Sequence, residues 1–238
     1  MDNKFHGNFT QQDGLPEIAI ERATRVLRSG RLHRYNLGKD EIGEVGSLEL
    51  EFAKFINVKY CLAVASGGYT LSTALRALGV GHGDNVLTNA FTLAPVPGAI
   101  ASVGATPIFV GVTENLVIDL DDLEAKSQNA KVLMLSHMRG HICDMDRLLS
   151  ICAANNIQLI EDCAHTMGAK WGDRWSGTDG VIGCYSTQTY KHINSGEGGL
   201  LVTNNPDIMA KATMLSGSYM LYDRHPAGPE KKYYDLIK

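Results

Sequence analysis

No run of apolar residues in this chain is long enough to cross a bilayer as a helix. The opening Met1-Asp2-Asn3-Lys4-Phe5-His6-Gly7 has no apolar signal core, so a cytoplasmic protein is expected. Internal repeats and low-complexity tracts are lacking. So is a basic stripe: 22 Lys and Arg stand interspersed with 26 Asp and Glu, for a net charge of −4, which argues against a nucleic-acid partner. The Walker pattern is absent, which counts against a P-loop nucleotidase. Cysteine is sparse and odd in number, five in all, and the residues stand in apolar surroundings. Cys61, Cys152 and Cys184 read as small buried hydrophobes of a reducing compartment rather than as a disulfide framework. What is present is 238 residues, enough to bury a core as one large or two small domains.

Short apolar stretches alternate with amphipathic ones. Strands are expected at 60–65, 85–88, 107–112, 131–136, 157–160, 182–185 and 199–203. Helices are expected at 15–29, 41–55, 70–78, 94–103, 120–126, 145–155 and 206–215, the first with Pro16 in its opening turn and Gly30 just past its end. This alternation implies an α/β fold with a mainly parallel, seven-stranded sheet covered by helices on both faces. In such sheets ligands bind beyond the carboxyl ends of the strands. Two candidate motifs fall there.

One is Ser66-Gly67-Gly68-Tyr69, where a strand passes through glycines into a helix. Backbone N–H groups at that helix start suit a phosphate, and glycine lets an anion approach closely. An ordinary tight turn is the competing reading. The other is Asp162, in Ile160-Glu161-Asp162-Cys163-Ala164-His165, together with Lys191, in the small-residue loop that runs to Ser195-Gly196-Glu197-Gly198-Gly199. A lysine amine can form a Schiff base with a cofactor aldehyde, and a carboxylate can keep a pyridine nitrogen protonated. That is the residue pair pyridoxal phosphate needs. Phe91, beyond the strand at 85–88, could stack on a flat ring or simply fill the core. His137, His141 and Cys143 have a spacing that suits zinc on a helix. Gly140 argues against the helix, and the Cys-x-x-Cys of a zinc deaminase is absent, so no metal is expected. His137 and Arg139 are instead expected to line the crevice, with Arg139 as an anchor for a carboxylate or sugar phosphate. A solvated loop arginine is the alternative. The run Ser29-Gly30-Arg31-Leu32-His33-Arg34-Tyr35 reads as a basic loop.

Taken in order, Ala65-Ser66-Gly67-Gly68-Tyr69, Ala74-Leu75-Arg76-Ala77-Leu78-Gly79, Asn89-Ala90-Phe91-Thr92, Gly104-Ala105-Thr106-Pro107, Glu161 to His165 and Ser195 to Gly199 resemble the DegT/StrS family of pyridoxal-phosphate sugar aminotransferases. The resemblance runs from about Pro16 to about Ser216. It implies the large domain of the aspartate-aminotransferase fold, and an amino group moved from glutamate or glutamine to a keto sugar, nucleotide-linked or not, or a keto cyclitol. It implies Lys191 as the Schiff-base lysine and Asp162 as the pyridine partner. It places His165 at the ring hydroxyl, Ser186, Gly67, Gly68 and Tyr69 at the phosphate, and Phe91 over the ring. Arg31, Tyr35, Arg139 and His141 become substrate candidates. A homodimer with its active site at the interface is implied, without membrane or nucleic acid.

The sequence also departs from the family pattern. Gly68 stands where threonine is common, Tyr190 replaces a threonine, Asn89 replaces a proline, and Ser136 to His141 replaces an aromatic-Gly-Gln or aromatic-Gly-His run. A deoxysugar dehydratase and a non-catalytic regulator are the alternatives. Related dehydratases carry a histidine where Lys191 stands, and a regulator has no need of the whole set. The expected division is 1–35 as helix and substrate-proximal arm, 36–217 as cofactor-binding domain, and 218–238 as a loop toward a small domain that the chain does not contain.

Overall fold

The computed structural model describes residues 14–38, 41–217 and 224–235. The Met1 to Gly7 opening and parts of the 218–238 stretch lie outside them. The helices are α1 (Glu17–Ser29), α2 (Glu44–Phe55), α3 (Gly67–Ala77), α4 (Pro95–Ser102), α5 (Leu120–Lys126), α6 (Met145–Asn155) and α7 (Pro206–Leu215). The strands are β1 (Tyr60–Val64), β2 (Asn85–Asn89), β3 (Thr106–Val110), β4 (Val132–Ser136), β5 (Gln158–Asp162), β6 (Lys170–Trp171), β7 (Arg174–Trp175), β8 (Ile182–Ser186) and β9 (Gly199–Thr203).

Seven strands form one sheet in the order β1-β9-β8-β5-β4-β2-β3. Strands β2, β3, β4, β5 and β8 pair in parallel, and β9 runs antiparallel to both of its neighbours, β1 and β8. The expected fold class therefore holds, with one reversed strand inside the sheet. The alternation of side chains along the strands divides the core. Val132 and Met134 of β4, Ile160 of β5 and Ile182 of β8 pack with Leu71, Leu75 and Ile100 of α3 and α4. Leu133 and Leu135 pack on the other face with Leu123, Leu148 and Ile151 of α5 and α6. Phe52 and Ile56 of α2 cover Cys61, Tyr185 and Leu200 on that same side of the strands nearer β1.

The register carries the site. Ser136 pairs with Asp162, Asp162 with Cys184, and Ser186 with Gly199, which in turn faces Val64. The carboxyl ends of β1, β4, β5 and β8 thus share one edge. Asp162 is the last residue of its strand, two residues beyond the strand end expected from sequence.

Several local features differ from expectation. Helix α3 begins at Gly67 rather than Thr70, because Ser66 caps it by accepting from the Tyr69 amide at 3.1 Å. The hairpin β6–β7 was not foreseen. Gly172, at φ 58°, makes its turn, and Arg174 ties it to Asp146 and Asp179 at 2.6 Å each. No residue of α1 is buried, and Ile18 and Leu27 are 61% and 67% exposed. Residues 224–235, read as loop, pack against the β1 edge. The Cys61 amide donates to Ala227 O, His225 Nε2 lies 2.8 Å from Cys61 O, and Ala227 and Tyr234 are buried.

Glu161 is buried beside Asp162 but points to the opposite face. Its carboxylate accepts from His137 Nε2 at 3.0 Å, Gly177 N at 2.9 Å, Asp179 N at 2.9 Å and Gly180 N at 2.7 Å. Burial alone would raise this carboxyl. The bonds from His137, Gly180 and Gly177 outweigh it and hold the group below its usual value. A depressed folded-state value means stability that is present above the unfolded carboxyl's titration, near pH 4, and lost as pH falls further. Glu161→Gln sets an amide N–H₂ against a buried donor. Chemical denaturation at pH 7 is expected to show a loss of about 2–4 kcal/mol and a weaker acid dependence than the parent. An unchanged midpoint and acid profile would contradict the role given to this carboxylate.

Candidate active site

A cavity of about 360 Å³ opens at the shared carboxyl edge. Its lining includes Ser66, Gly67 and Gly68 from the start of α3, Ser136 and Asp162 from β4 and β5, His165, Ser186 and Lys191. Residues far apart in sequence therefore meet where the fold class places a ligand.

Lys191 sits in the excursion between β8 and β9. The Thr187 amide donates to Gly198 O, Thr189 to Gly196 O and Ser195 to Thr187 O, which closes the excursion as an extended ladder. Lys191 Nζ lies 2.8 Å from His165 Nε2. Burial, and secondarily the charge of Arg139, hold the Lys191 amine below its usual value, against the pull of Asp162. His165 is likewise lowered, by burial first and then by the neighbouring Lys191, Arg139 and His192 charges. Asp162 accepts from Ser136 Oγ at 3.2 Å and from the Ala164 amide at 3.1 Å. Burial raises its carboxyl above the usual value, and those two donors and the Lys191 charge only partly offset this. Ser136 was not singled out from sequence. Its signal was its place at the end of the strand beside the one bearing Asp162.

The two cradle glycines differ in what they allow. A Cβ on Gly67 would meet Ser186 Cβ at 2.7 Å, so glycine there lets α3 seat on the end of β8. A Cβ on Gly68 would touch only Pro95 Cβ and Ser66 Oγ, both at 3.9 Å, so this position has room for a side chain. The Tyr69 amide, expected at the phosphate, is already engaged by the Ser66 cap. Its hydroxyl donates to Leu215 O at 3.0 Å. The helix-start amides left to face a ligand are those of Gly67 and Gly68.

Other expected residues lie elsewhere. His137 does not line the crevice: it is 2% exposed and turned to Glu161 on the far face. Phe91 does not line the cavity. Asn89 fastens the loop after β2 by donating to Phe91 O and Ser136 O and accepting from Ser136 N. Leu93, Pro95 and Val96 face the cavity instead. Tyr35 is 3% exposed, with its ring against His33 and Arg34. Arg31 pairs with Glu41 and donates to Asn36 O, lining a separate cleft between α1 and α2. His141 is exposed and outside the cavity lining. Arg139 borders a second hollow of about 350 Å³ that shares Ala164, His165 and Lys191 with the first and adds Tyr190 and His192. The three-residue turn Met138–Gly140 keeps His137, His141 and Cys143 from sharing a helix face. Among the described residues, the grouping with metal-ligand spacing is His137, Glu161 and Cys163, whose carboxylate is already saturated by donors.

Comparison with known proteins follows the same outline. The chain is 40% identical over 180 residues to a putative L-glutamine:3-amino-2,3-dideoxy-scyllo-inosose aminotransferase of Micromonospora echinospora, covering 74% of this chain and 43% of that one. It is 35% identical over 182 residues to a GDP-perosamine synthase of Escherichia coli O157:H7, covering 76% and 50%. The crystal structure of an aminotransferase from Psychrobacter cryohalolentis superposes with a TM-score of 0.79 at 31% identity, over 86% of this chain and 51% of that one. The chain thus spans about half the length of the proteins it matches. The profile of the DegT/DnrJ/EryC1/StrS aminotransferases matches residues 16–225, and the chain belongs to that family.

Proposed function

We propose that this chain is the cofactor-binding domain of a pyridoxal-phosphate-dependent aminotransferase. Its donor is glutamate or glutamine, and its acceptor is a keto sugar, nucleotide-linked or not, or a keto cyclitol. The observation that carries the proposal is the meeting of Lys191, His165, Asp162, Ser186 and the α3 start in one cavity. The relatives support the acceptor class, since one is named for a scyllo-inosose derivative and another for GDP-perosamine.

The residues present fit the cofactor. A carboxylate with two hydrogen bonds at a cavity floor, raised by burial, is stabilised by a cation set over it. A protonated pyridine nitrogen is such a cation. The helix start at Gly67 and Gly68, with Ser186 beside it, supplies an anion site at a separate part of the lining. When bound, the cofactor offers an aldehyde carbon and an electron-accepting ring to an amino group.

The chain's own residues do the rest. Lys191 is the nucleophile that holds the cofactor and, once displaced by the amino donor, the base that moves a proton between two carbons. Its depressed affinity for protons serves both tasks. Asp162 stabilises positive charge at the ring nitrogen. His165 stands beside Lys191 and faces the ring hydroxyl in this reading. Arg139 and His192, at the rim of the adjoining hollow, suit the carboxylate of the donor or the phosphate of a nucleotide sugar. The presence of Lys191 favours amine transfer over dehydration.

We further place the protein in the cytoplasm as a homodimer whose partner helps complete the site. The unburied apolar side of α1 supports association, and five buried free cysteines support a reducing compartment. Among the described residues, no helix is long and apolar enough to cross a membrane.

Three outcomes are expected. Borohydride treatment of the cofactor-loaded protein should fix the cofactor on Lys191, as read by peptide mapping. A label on another lysine, or none, would falsify the assignment. Asp162→Asn should still load cofactor, yet lose about 10²-fold or more in single-turnover amine transfer from glutamate or glutamine. Near-parental turnover would remove Asp162 from the ring nitrogen. Gly68→Thr places a hydroxyl in open space at the second position of α3 and should tighten cofactor binding about tenfold in fluorescence titration. Weaker binding by a normally folded variant would show that the phosphate sits elsewhere.

A further inference from the structure

Arg139 has φ 56° and ψ 19°, a left-handed conformation that is strained for a non-glycine residue. Gly140 follows at φ 85°. The pair is held from below, because His137 is buried on Glu161 and its carbonyl accepts from the Gly140 amide at 3.1 Å. The result is that the Arg139 N–H is aimed at the site rather than along a helix. It donates to His165 Nδ1 at 3.1 Å. The other ring nitrogen, Nε2, lies 2.8 Å from Lys191 Nζ.

These two contacts fix the protons between them. A nitrogen that accepts an N–H carries no proton of its own, so neutral His165 must carry its proton on Nε2. An Nε2–H at 2.8 Å needs an acceptor, and an ammonium has none. Both contacts hold together only if Lys191 is an uncharged amine that accepts from His165. The reverse arrangement, a Lys191 ammonium donating to Nε2, would put a proton on Nδ1 and set it against the Arg139 N–H. Turning the ring over would present carbon to both neighbours.

We propose that the Arg139 main-chain N–H is a positioning group that locks His165 as the Nε2–H tautomer, and that His165 in turn keeps Lys191 as a free amine ready to capture its carbonyl partner. The proposal rests on the cofactor reading above and deepens it. The groups facing Lys191 are His165, Asp162 and Arg139, and those facing His165 are Lys191, Arg139 and His192. Burial disfavours the Lys191 ammonium most, Asp162 favours it and Arg139 opposes it, and the His165 tautomer adds a hydrogen-bond donor that only the free amine can accept. The same Nε2–H is the donor that a ring hydroxyl oxygen would meet once Lys191 is engaged. The residue type at 139 matters less than its amide and its left-handed turn.

Two measurements test this. Nitrogen NMR of ¹⁵N-histidine-labelled, cofactor-free protein, with His165 assigned by comparison with His165→Gln, should show the Nε2-protonated neutral form. It should show the same form in Arg139→Gly, which keeps the amide and relieves the left-handed strain. The pH dependence of the rate at which Lys191 captures pyridoxal phosphate, followed by absorbance, reads the free amine. His165→Met keeps the bulk and removes the donor, so its midpoint should move up by about one pH unit, the size expected of one hydrogen bond. His165→Gln can accept from Arg139 and donate to Lys191, and should stay near the parental midpoint. An Nδ1-protonated His165, or equal shifts in the Met and Gln variants, would overturn the proposal. The NMR result needs no cofactor, so it stands apart from the fate of the cofactor reading.

Discussion

The Glu161 carboxylate is the interaction on which the site depends. It occupies the residue before Asp162, and strand alternation sends the two acids to opposite faces of the sheet. One oxygen of Glu161 receives His137, the first residue after β4. That same oxygen, Oε2, also accepts from the Gly177 amide, and Oε1 accepts from the amides of Asp179 and Gly180, the segment that leads into β8. A single buried charge therefore sets the exit of one strand and the entrance of another. From the exit come the Arg139 amide and the environment of His165. From the entrance come Ser186 and, beyond it, Lys191. A buried carboxylate is costly unless its oxygens are satisfied, and here four donors satisfy them. That makes the arrangement intolerant of slippage in either segment.

Much of this was legible in sequence because of period and order. Short apolar strands such as 132–136 have no polar face, which marks a sheet buried on both sides, and intervening helices mark parallel crossovers. Asp162 and Lys191 stood out because the chemistry of each requires the other. The carboxyl-end rule could then place Asp162 and the Ser66-Gly67-Gly68 turn at one crevice from sequence alone. Reversal of β9 was not legible, since an apolar run of five residues carries no sign of direction. The β6–β7 hairpin left a weaker trace in Trp171-Gly172-Asp173-Arg174-Trp175, two strand-favouring aromatics around a glycine turn.

Side-chain direction was the harder problem. His137 has the residue type of an active-site group and a position next to one, yet it satisfies Glu161 on the far face. Sequence shows that a histidine follows a strand; it does not show which face it serves. Tyr35 was drawn to substrate by the bases beside it, but those bases serve the protein. Arg34 bonds Glu49 and the Ala63 carbonyl, and Tyr35 is buried with them. Phe91 failed to reach the cavity for a related reason. Asn89, buried at 1% exposure, spends its amide on the loop backbone and fixes the turn before the aromatic. In each case a buried polar group nearby needed a partner, and that need outweighed the chemistry suggested by residue type.

The glycines of the cradle show how structure separates two causes that look alike in sequence. Gly67 and Gly68 both suit close approach by an anion. At Gly67 the space a side chain would take is filled by Ser186, so glycine there is a packing requirement, and it would remain one without any ligand. At Gly68 the nearest atoms stand at van der Waals distance and no packing demands glycine. The side chain omitted at Gly68 leaves its space to the cavity, whereas the one omitted at Gly67 leaves its space to the protein. For the anion site proposed at this helix start, the donors on offer are backbone N–H groups and the Ser186 hydroxyl, reinforced by the helix dipole, with no side chain at position 68. The same reasoning applies to Arg139. Its left-handed backbone is strained where glycine would not be, and the strain is held in place by the His137 anchor while its amide faces His165. Position, more than residue type, is what this part of the chain contributes to the site.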